Sequence, residues 1–506
     1  MPGHSWSIVV CMTKALPVLL LSVALLADAG AEDQPVPETV APSPAGEQVP
    51  APAPAAVPAT RPSVPARILP SDQRMEAYDQ FRAMYETARF EEALPLAHRV
   101  VELSEAHRDR EIELPIAHNN LGATHYQLNN YAAAEISYKT SLELLESTQG
   151  ISSRRMIIPL AGLGTVYAAQ DQHALAVPQF DRALAISRRS DGLFSLAQLP
   201  LIEQVADSRF ALGDFGGVEN DYYYAIKIVE HRYGFDDPRT LPAVLRLAAF
   251  YESVREFNGA RMLYLRARDI SMKESGGFNP LAIKSLIGIS RTHRMQYSID
   301  PDTLEGQGPA RDEVTGEVVG RVYRESRVPP PAADRAGLKS VQTALELLRA
   351  TPDPPRQLLT EALTELGDWY QATSRPNVAL PYYAEASTVY TAEAESGLIS
   401  PLLAPRMVFY RPPTASTRSL NTPTGQYLVR KTVFSFVVSE TGETRDITVV
   451  SSDMSEGQLA QSRRALDRAI YSPRFENGMP VATEGVRFTS DWYEQKPVET
   501  PSTAGG

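Results

Sequence analysis

The sequence predicts a mainly α-helical chain, a superhelical solenoid of helix pairs, followed by a small α+β domain. Three observations predict it. Small residues recur at an interval of 42 through about 300 residues. Near residue 405 the apolar periodicity changes from helical to alternating. Between Asp33 and Pro70, ahead of the first periodic segment, stand 11 of the 40 prolines.

Residues 1–31 read as a secretory signal. Ala15 to Ala27 is an apolar run of 13 residues, followed by the small-x-small triplets Ala27-Asp28-Ala29 and Ala29-Gly30-Ala31. A helix crossing a bilayer needs about 20 apolar residues. Extending the run back to Trp6 places Lys14 near mid-span, at a cost of about 2.5–3.5 kcal/mol. Met12 then serves as the start, Thr13-Lys14 as the basic n-region, and the mature chain begins at Gly30 or Glu32. The alternative is a retained inner-membrane anchor. Cys11, the one cysteine, precedes either cleavage point, so disulfides, thiolate zinc sites and thiol nucleophiles are excluded from the mature chain. Export without cysteines suits a bacterial periplasm. The signal carries one lysine and one aspartate, so the net charge of −12 survives its removal. That charge argues against nucleic acid and anionic membrane surfaces as partners.

Residues 32–70, rich in proline, alanine and valine, cannot bury a core and favour extended polyproline II. From 71 to 396 the pattern is amphipathic helix. Ala93, Ala134, Ala176, Val218 and Ala260 lie 41, 42, 42 and 42 residues apart. Val100, Ser141, Ala183, Ala225 and Ala267 follow each by seven. The register returns at Ala344 and Ala386, and the gap from Ala267 to Ala344 is 77, one repeat plus 35. This gives about seven units, the sixth interrupted near 297–331, where Val314 to Val328 reads as a short hairpin.

Within a unit, Leu121-Gly122 precedes Tyr126 and Ala134, Leu163-Gly164 precedes Tyr167 and Ala176, and Leu366-Gly367 precedes Tyr370 and Ala379. Glycine or alanine after the leucine lets two antiparallel helices approach, and the aromatic fills the space beside them. Gly164 is therefore expected at a helix contact and Gly276 in an inter-unit loop. These residues resemble the tetratricopeptide repeat (TPR) in its 42-residue, kinesin-light-chain form. Phe81 and Ala206 depart from it where glycine is usual, and Val218 where alanine is. The resemblance implies a protein-binding groove lined by the first helix of each unit. Its candidates are Asn119, Tyr126, Gln127, Asp207, Phe210 and Glu252, an aromatic and acidic set suited to a basic or amphipathic peptide.

Beyond residue 405, Thr432 to Val438 alternates as a strand, Glu440-Thr441-Gly442-Glu443 turns it, and Asp446 to Ser451 returns. Ser455 to Tyr471 reads as an amphipathic helix, Asn477-Gly478 as a turn, and Val481 to Trp492 as the last strand. Residues 495–506 form a tail. The order of elements, with Gly442 and the run from Tyr471 to Val481, resembles the C-terminal domain of TonB-family proteins over 405–494. The resemblance implies a periplasmic domain that takes a partner's peptide as an added strand. In the transducers of that family the peptide belongs to an outer-membrane receptor. Arg487, Phe488, Thr489, Ser490, Asp491 and Trp492 are the candidate edge. The chain departs from the transducers in lacking a histidine in its N-terminal apolar run, and its linker does not alternate Glu with Lys.

No phosphate-binding loop, nucleophile elbow or His-Glu-x-x-His occurs, so no enzyme, cofactor, metal or catalytic residue is expected. Helical Asp and Glu read as solvated faces. Two functions follow. The first is a periplasmic protein–protein interaction adaptor of the Gram-negative cell envelope with a TonB-like partner-binding domain. The second is a TonB-family energy transducer coupling proton motive force to outer-membrane receptor transport.

Overall fold

The computed structural model describes residues 70–107, 110–274, 279–298, 305–311, 318–324, 330–391, 402, 404–413 and 427–495. The expected signal, most of the proline-rich linker, Gly276 and residues 496–506 lie outside them. The chain divides into two compact units, residues 1–221 and 222–506, each taken by itself below.

The first unit holds α1 (Pro70–Glu86) with α2 (Phe90–Glu105), α3 (Arg110–Gln127) with α4 (Tyr131–Gln149), and α5 (Ile157–Ala169) with α6 (His173–Ser190). It also holds α7 (Leu199–Ala211) and the start of α8 (Phe215–Tyr233). The second continues with α9 (Leu241–Ser253) and α10 (Phe257–Glu274), α11 (Pro280–Ser298) and α12 (Pro330–Arg349), and α13 (Arg356–Ala372) and α14 (Pro376–Thr391).

Local chemistry sets the period. In six of the pairs the first helix ends at a left-handed residue: Ala88, Asn129, Asp171, Gly213, Arg255 and Ser374, with φ of 56–75°. In each case the next residue donates its N–H to the carbonyl five positions back: Arg89 to Met84, Asn130 to His125, Gln172 to Tyr167, Asp214 to Arg209, Glu256 to Tyr251 and Arg375 to Tyr370. This is a Schellman ending. Only Gly213 is free of the Cβ penalty there. At the next turn Ser153, Ser195, Asp237 and Asn279 stand 42 apart. Each side chain accepts the N–H two residues on, from Arg155, Ala197, Arg239 and Leu281.

Packing then selects the small positions. Ala93, Ala134, Ala176, Val218, Ala260 and Ala379 are completely buried. A Cβ on Gly164 would lie 2.6 Å from Phe180, and one on Gly367 2.5 Å from Tyr383. Gly162 faces Tyr138 and Gly288 faces Tyr264 in the same manner.

Between α11 and α12 runs an antiparallel hairpin, β1 (Glu305–Arg311) with β2 (Val318–Arg324). Its strands begin nine residues ahead of the segment Val314–Val328 that the sequence suggests, because Gly306, Gly308 and Pro309 carry little strand signal.

The C-terminal domain contains β3 (Arg406–Phe409), β4 (Tyr427–Val438), β5 (Thr444–Ser452), α15 (Glu456–Asp467), β6 (Ile470–Ser472), β7 (Arg474–Glu476), β8 (Met479–Val481) and β9 (Thr483–Gln495). A three-stranded antiparallel sheet runs β5–β4–β9, and β3–β6 and β7–β8 form two further pairs. Phe434, Phe436 and Val438 pack on one face of β4 with Leu466, Ala469, Tyr471 and Phe488. A capping box, Ser455 with Gln458, starts α15. The helix stops at Asp467, four residues short of the expected Tyr471. Ile470–Ser472 instead pairs with Arg406–Phe409, a ladder from 66 residues away that local periodicity does not contain.

The domain is not hung on a free linker. Leu402 and Phe475 belong to one core with Val341, Leu345, Leu363, Leu366, Trp369 and Tyr383 of α12–α14. Glu365 and Asp368, which the sequence suggests as solvated, are buried at 4% and 1% exposure. Arg294 bonds Glu365 through two nitrogens at 3.0 and 2.8 Å, and Arg406 bonds Asp368 at 2.8 and 2.6 Å. Two buried carboxylates thus face two guanidiniums, one of them from β3.

Candidate functional site: a sheet edge and a repeat groove

The candidate edge residues lie in β9, whose one neighbour in the sheet among the described residues is β4. Backbone direction decides which amides face outward. Lys431 accepts the Asp453 N–H at 3.1 Å and donates its own N–H to the Asp453 carboxylate, so both its backbone groups point toward β5. Residues of an antiparallel strand alternate in this respect. Lys431 opposite Asp491, Val433 opposite Thr489 and Ser435 opposite Arg487 are therefore the pairs that do not bond each other. The N–H and C=O groups of Arg487, Thr489 and Asp491 accordingly point away from β4. Phe488, Ser490 and Trp492 make the ladder, and their side chains are buried. Tyr410 stands edge-on to Phe488 at 5.0 Å and hydrogen-bonds Ser490.

The two sheet edges differ. The β4–β5 register slips twice, between Val433 and Phe434 and between Ser435 and Val437. Bulges blunt an edge. The β4–β9 register runs unbroken from Tyr427 opposite Gln495 to Phe436 opposite Val486. This leaves residues 486–495 of β9 as a straight template for another strand.

The groove candidates are distributed unequally. In the first unit Asn119 is 7% exposed, with its Oδ1 buried and without a hydrogen-bond partner. Gln127 hydrogen-bonds Tyr85, whose hydroxyl burial pushes up to about 12. Tyr126 tilts against Tyr131 at 5.9 Å. Phe210 is 44% exposed and packs on Phe215 at 5.5 Å, and Asp207 is exposed. In the second unit Glu252 is held by Arg291 at 3.0 Å and by the Tyr264 hydroxyl at 2.9 Å. Its charge is thus already engaged inside the fold.

Sequence reasoning missed Arg209, which grips Asp181 through two bonds of 2.8 Å and also pairs with Asp221. Burial raises the Asp221 carboxyl to about 6 in spite of that arginine. The cluster ties α6, α7 and α8 together. Among the described residues no group of three or more His, Cys, Asp or Glu is placed to hold a metal ion, and no helix is long and apolar enough to cross a membrane.

Helix pairs with this recurrence, close glycine contact and ending form a helical-repeat architecture similar to that of tetratricopeptide repeats. Residues 119–150 match the tetratricopeptide repeat family model. No curated protein matches the chain. Solved structures similar to it include BtubC from P. vanneervenii, at 15% identity over 42% of this chain and 84% of that one, TM-score 0.36. A Podosopora anserina protein with nearly identical kinesin-light-chain TPR-like repeats matches at 17% identity over 41% and 99%, TM-score 0.38. The C-terminal part of a TPR protein from Cytophaga hutchinsonii matches at 16% identity over 65% and 100%, TM-score 0.37.

Proposed function

We propose that the chain is a periplasmic protein–protein interaction adaptor. One partner segment lies along the repeat groove, and a second adds as a strand to β9. The tetratricopeptide repeat supports the adaptor class. The observation that carries the second half is the unbroken register of β9 from Val486 to Gln495, with the Arg487, Thr489 and Asp491 amides turned outward. Strand addition draws affinity from those amides and takes its specificity from flanking side chains. The TonB-like character of residues 405–494 and the secretory signal are the sequence features behind the envelope location. N-terminal sequencing of the cell-associated protein is expected to give Gly30 or Glu32, and a start at Met1 or Met12 ends the export part of the proposal.

Thr489→Pro tests the edge. Its N–H lies outside the β4 ladder, so proline removes an edge donor without breaking an internal bond. The variant is expected to keep its circular dichroism spectrum and lose capture of the strand partner by at least tenfold. Unchanged capture with an unchanged spectrum rules β9 out.

In the groove, Tyr126→Ala with Phe210→Ala is expected to reduce recovery of the peptide partner in a crosslinking pulldown and to leave capture by β9 intact. Recovery equal to wild type removes the groove assignment.

The transducer reading predicts a different phenotype. A knockout, with any redundant transducer also deleted, would then lose siderophore-dependent growth, whereas an adaptor leaves that growth unaffected.

A further inference from the structure

The position occupied by Tyr126, Phe210 and Glu252 recurs at Arg294 and, one repeat and the 35-residue insertion later, at Gln371. In these last two repeats it does not await a ligand. Arg294 Nη1 donates to the Val408 carbonyl at 3.2 Å, and Gln371 Nε2 donates to the carbonyls of Thr441 and Tyr471 at 2.5 and 3.0 Å. Asp368, at the register of Asp207, binds Arg406.

We propose that the groove of the last two repeats is a peptide site already filled by this chain's own C-terminal domain. What it recognises is what a TPR groove would recognise in an outside partner: main-chain carbonyls, one arginine and the apolar Leu402. The acidic groove residue Asp368 takes the basic side chain that an acidic groove selects. Gly442 completes the fit. Its φ is +86°, and a Cβ there would lie 1.9 Å from the Tyr471 carbonyl oxygen and 2.4 Å from Gln371 Nε2. The tip of the β4–β5 hairpin can therefore reach Gln371 only as glycine.

Two consequences follow. Outside segments are excluded from this stretch, which confines peptide binding to earlier repeats. The β9 edge is also presented in a fixed orientation on α13 and α14, not on a tether. The inference shares the groove register with the proposed function, but its test needs no partner, so the two can fail separately.

Hydrogen exchange followed by mass spectrometry on the full chain provides the test. Wild-type amides of 406–409 and 440–443 are expected to be protected. Arg406→Met leaves Asp368 paired with Arg294 and should speed exchange in those segments at least tenfold. Arg445→Met, an exposed arginine paired with Glu443, should leave them unchanged. If Arg406→Met loses its helical circular dichroism, Gln371→Leu, which removes hydrogen bonds and no charge, is measured in its place with the same expectation. Unprotected exchange of 406–409 in the wild type, or equal exchange in the docking variant and the Arg445→Met control, overturns the proposal.

Discussion

Asp368→Ala is expected to destabilise the second compact unit by about 3–5 kcal/mol, the range for removing one partner of a buried ion pair. The carboxylate is 1% exposed and accepts from Arg406 at 2.8 and 2.6 Å and from the Tyr383 hydroxyl at 2.7 Å, with Arg294 at 3.2 Å. Burial alone would raise its pKa, but Arg406 and Arg294 hold it below the ordinary carboxylate range. It therefore stays ionised at neutral pH. A depressed carboxyl stabilises the fold above its unfolded pKa, and that contribution is lost as pH falls through the lower folded value. Alanine removes the carboxylate that Arg406 binds and leaves Arg294 facing Glu365 alone. Urea denaturation at neutral pH should show the loss, and a smaller difference between variant and wild type in strong acid. A midpoint unchanged at neutral pH would show the cluster to be energetically idle. Asp368→Asn, which keeps an acceptor for Tyr383, should fall between the two.

Gly164→Leu against Gly216→Leu is the second large effect. The first Cβ meets the Phe180 ring at 2.6 Å, whereas a Cβ on Gly216 meets nothing within 4 Å. Overpacking of this kind costs about 1–3 kcal/mol. At Gly216 the change removes a helical glycine, a gain of up to about 1 kcal/mol. Gly164→Leu should melt several degrees below wild type, and Gly216→Leu at or slightly above it. Equal melting temperatures would contradict the close helix approach at Gly164.

Some of the architecture is written in local residue order. Ala93, Ala134, Ala176 and Ala260 could be found by their spacing because a helix pair leaves room for only a small residue there. The Asn477-Gly478 turn was legible because both residues tolerate positive φ, here 51° and 77°. The repeat-ending residues were not legible. Ala88, Asp171, Arg255 and Ser374 have no common chemistry, and what they share is a backbone conformation imposed by the Schellman bonds on either side.

The site divides along the same line. Sequence selected 487–492 as a strand, but the outward direction of the Thr489 amide depends on the β4 register and on Lys431 bonding to Asp453. Glu365 and Asp368 looked like solvated helix charges because their partners, Arg294 and Arg406, lie 71 and 38 residues away. Tyr126 and Gln371 share a register in the sequence, yet Gln371 alone meets the carbonyls of Thr441 and Tyr471. The sequence by itself therefore determined the repeat, its period and its interruption, since these arise from steric fit between neighbouring helices. Only the tertiary structure decided which charges are buried, which amides of β9 turn away from β4 and which repeat positions meet the C-terminal domain, since each depends on a partner brought in from far along the chain.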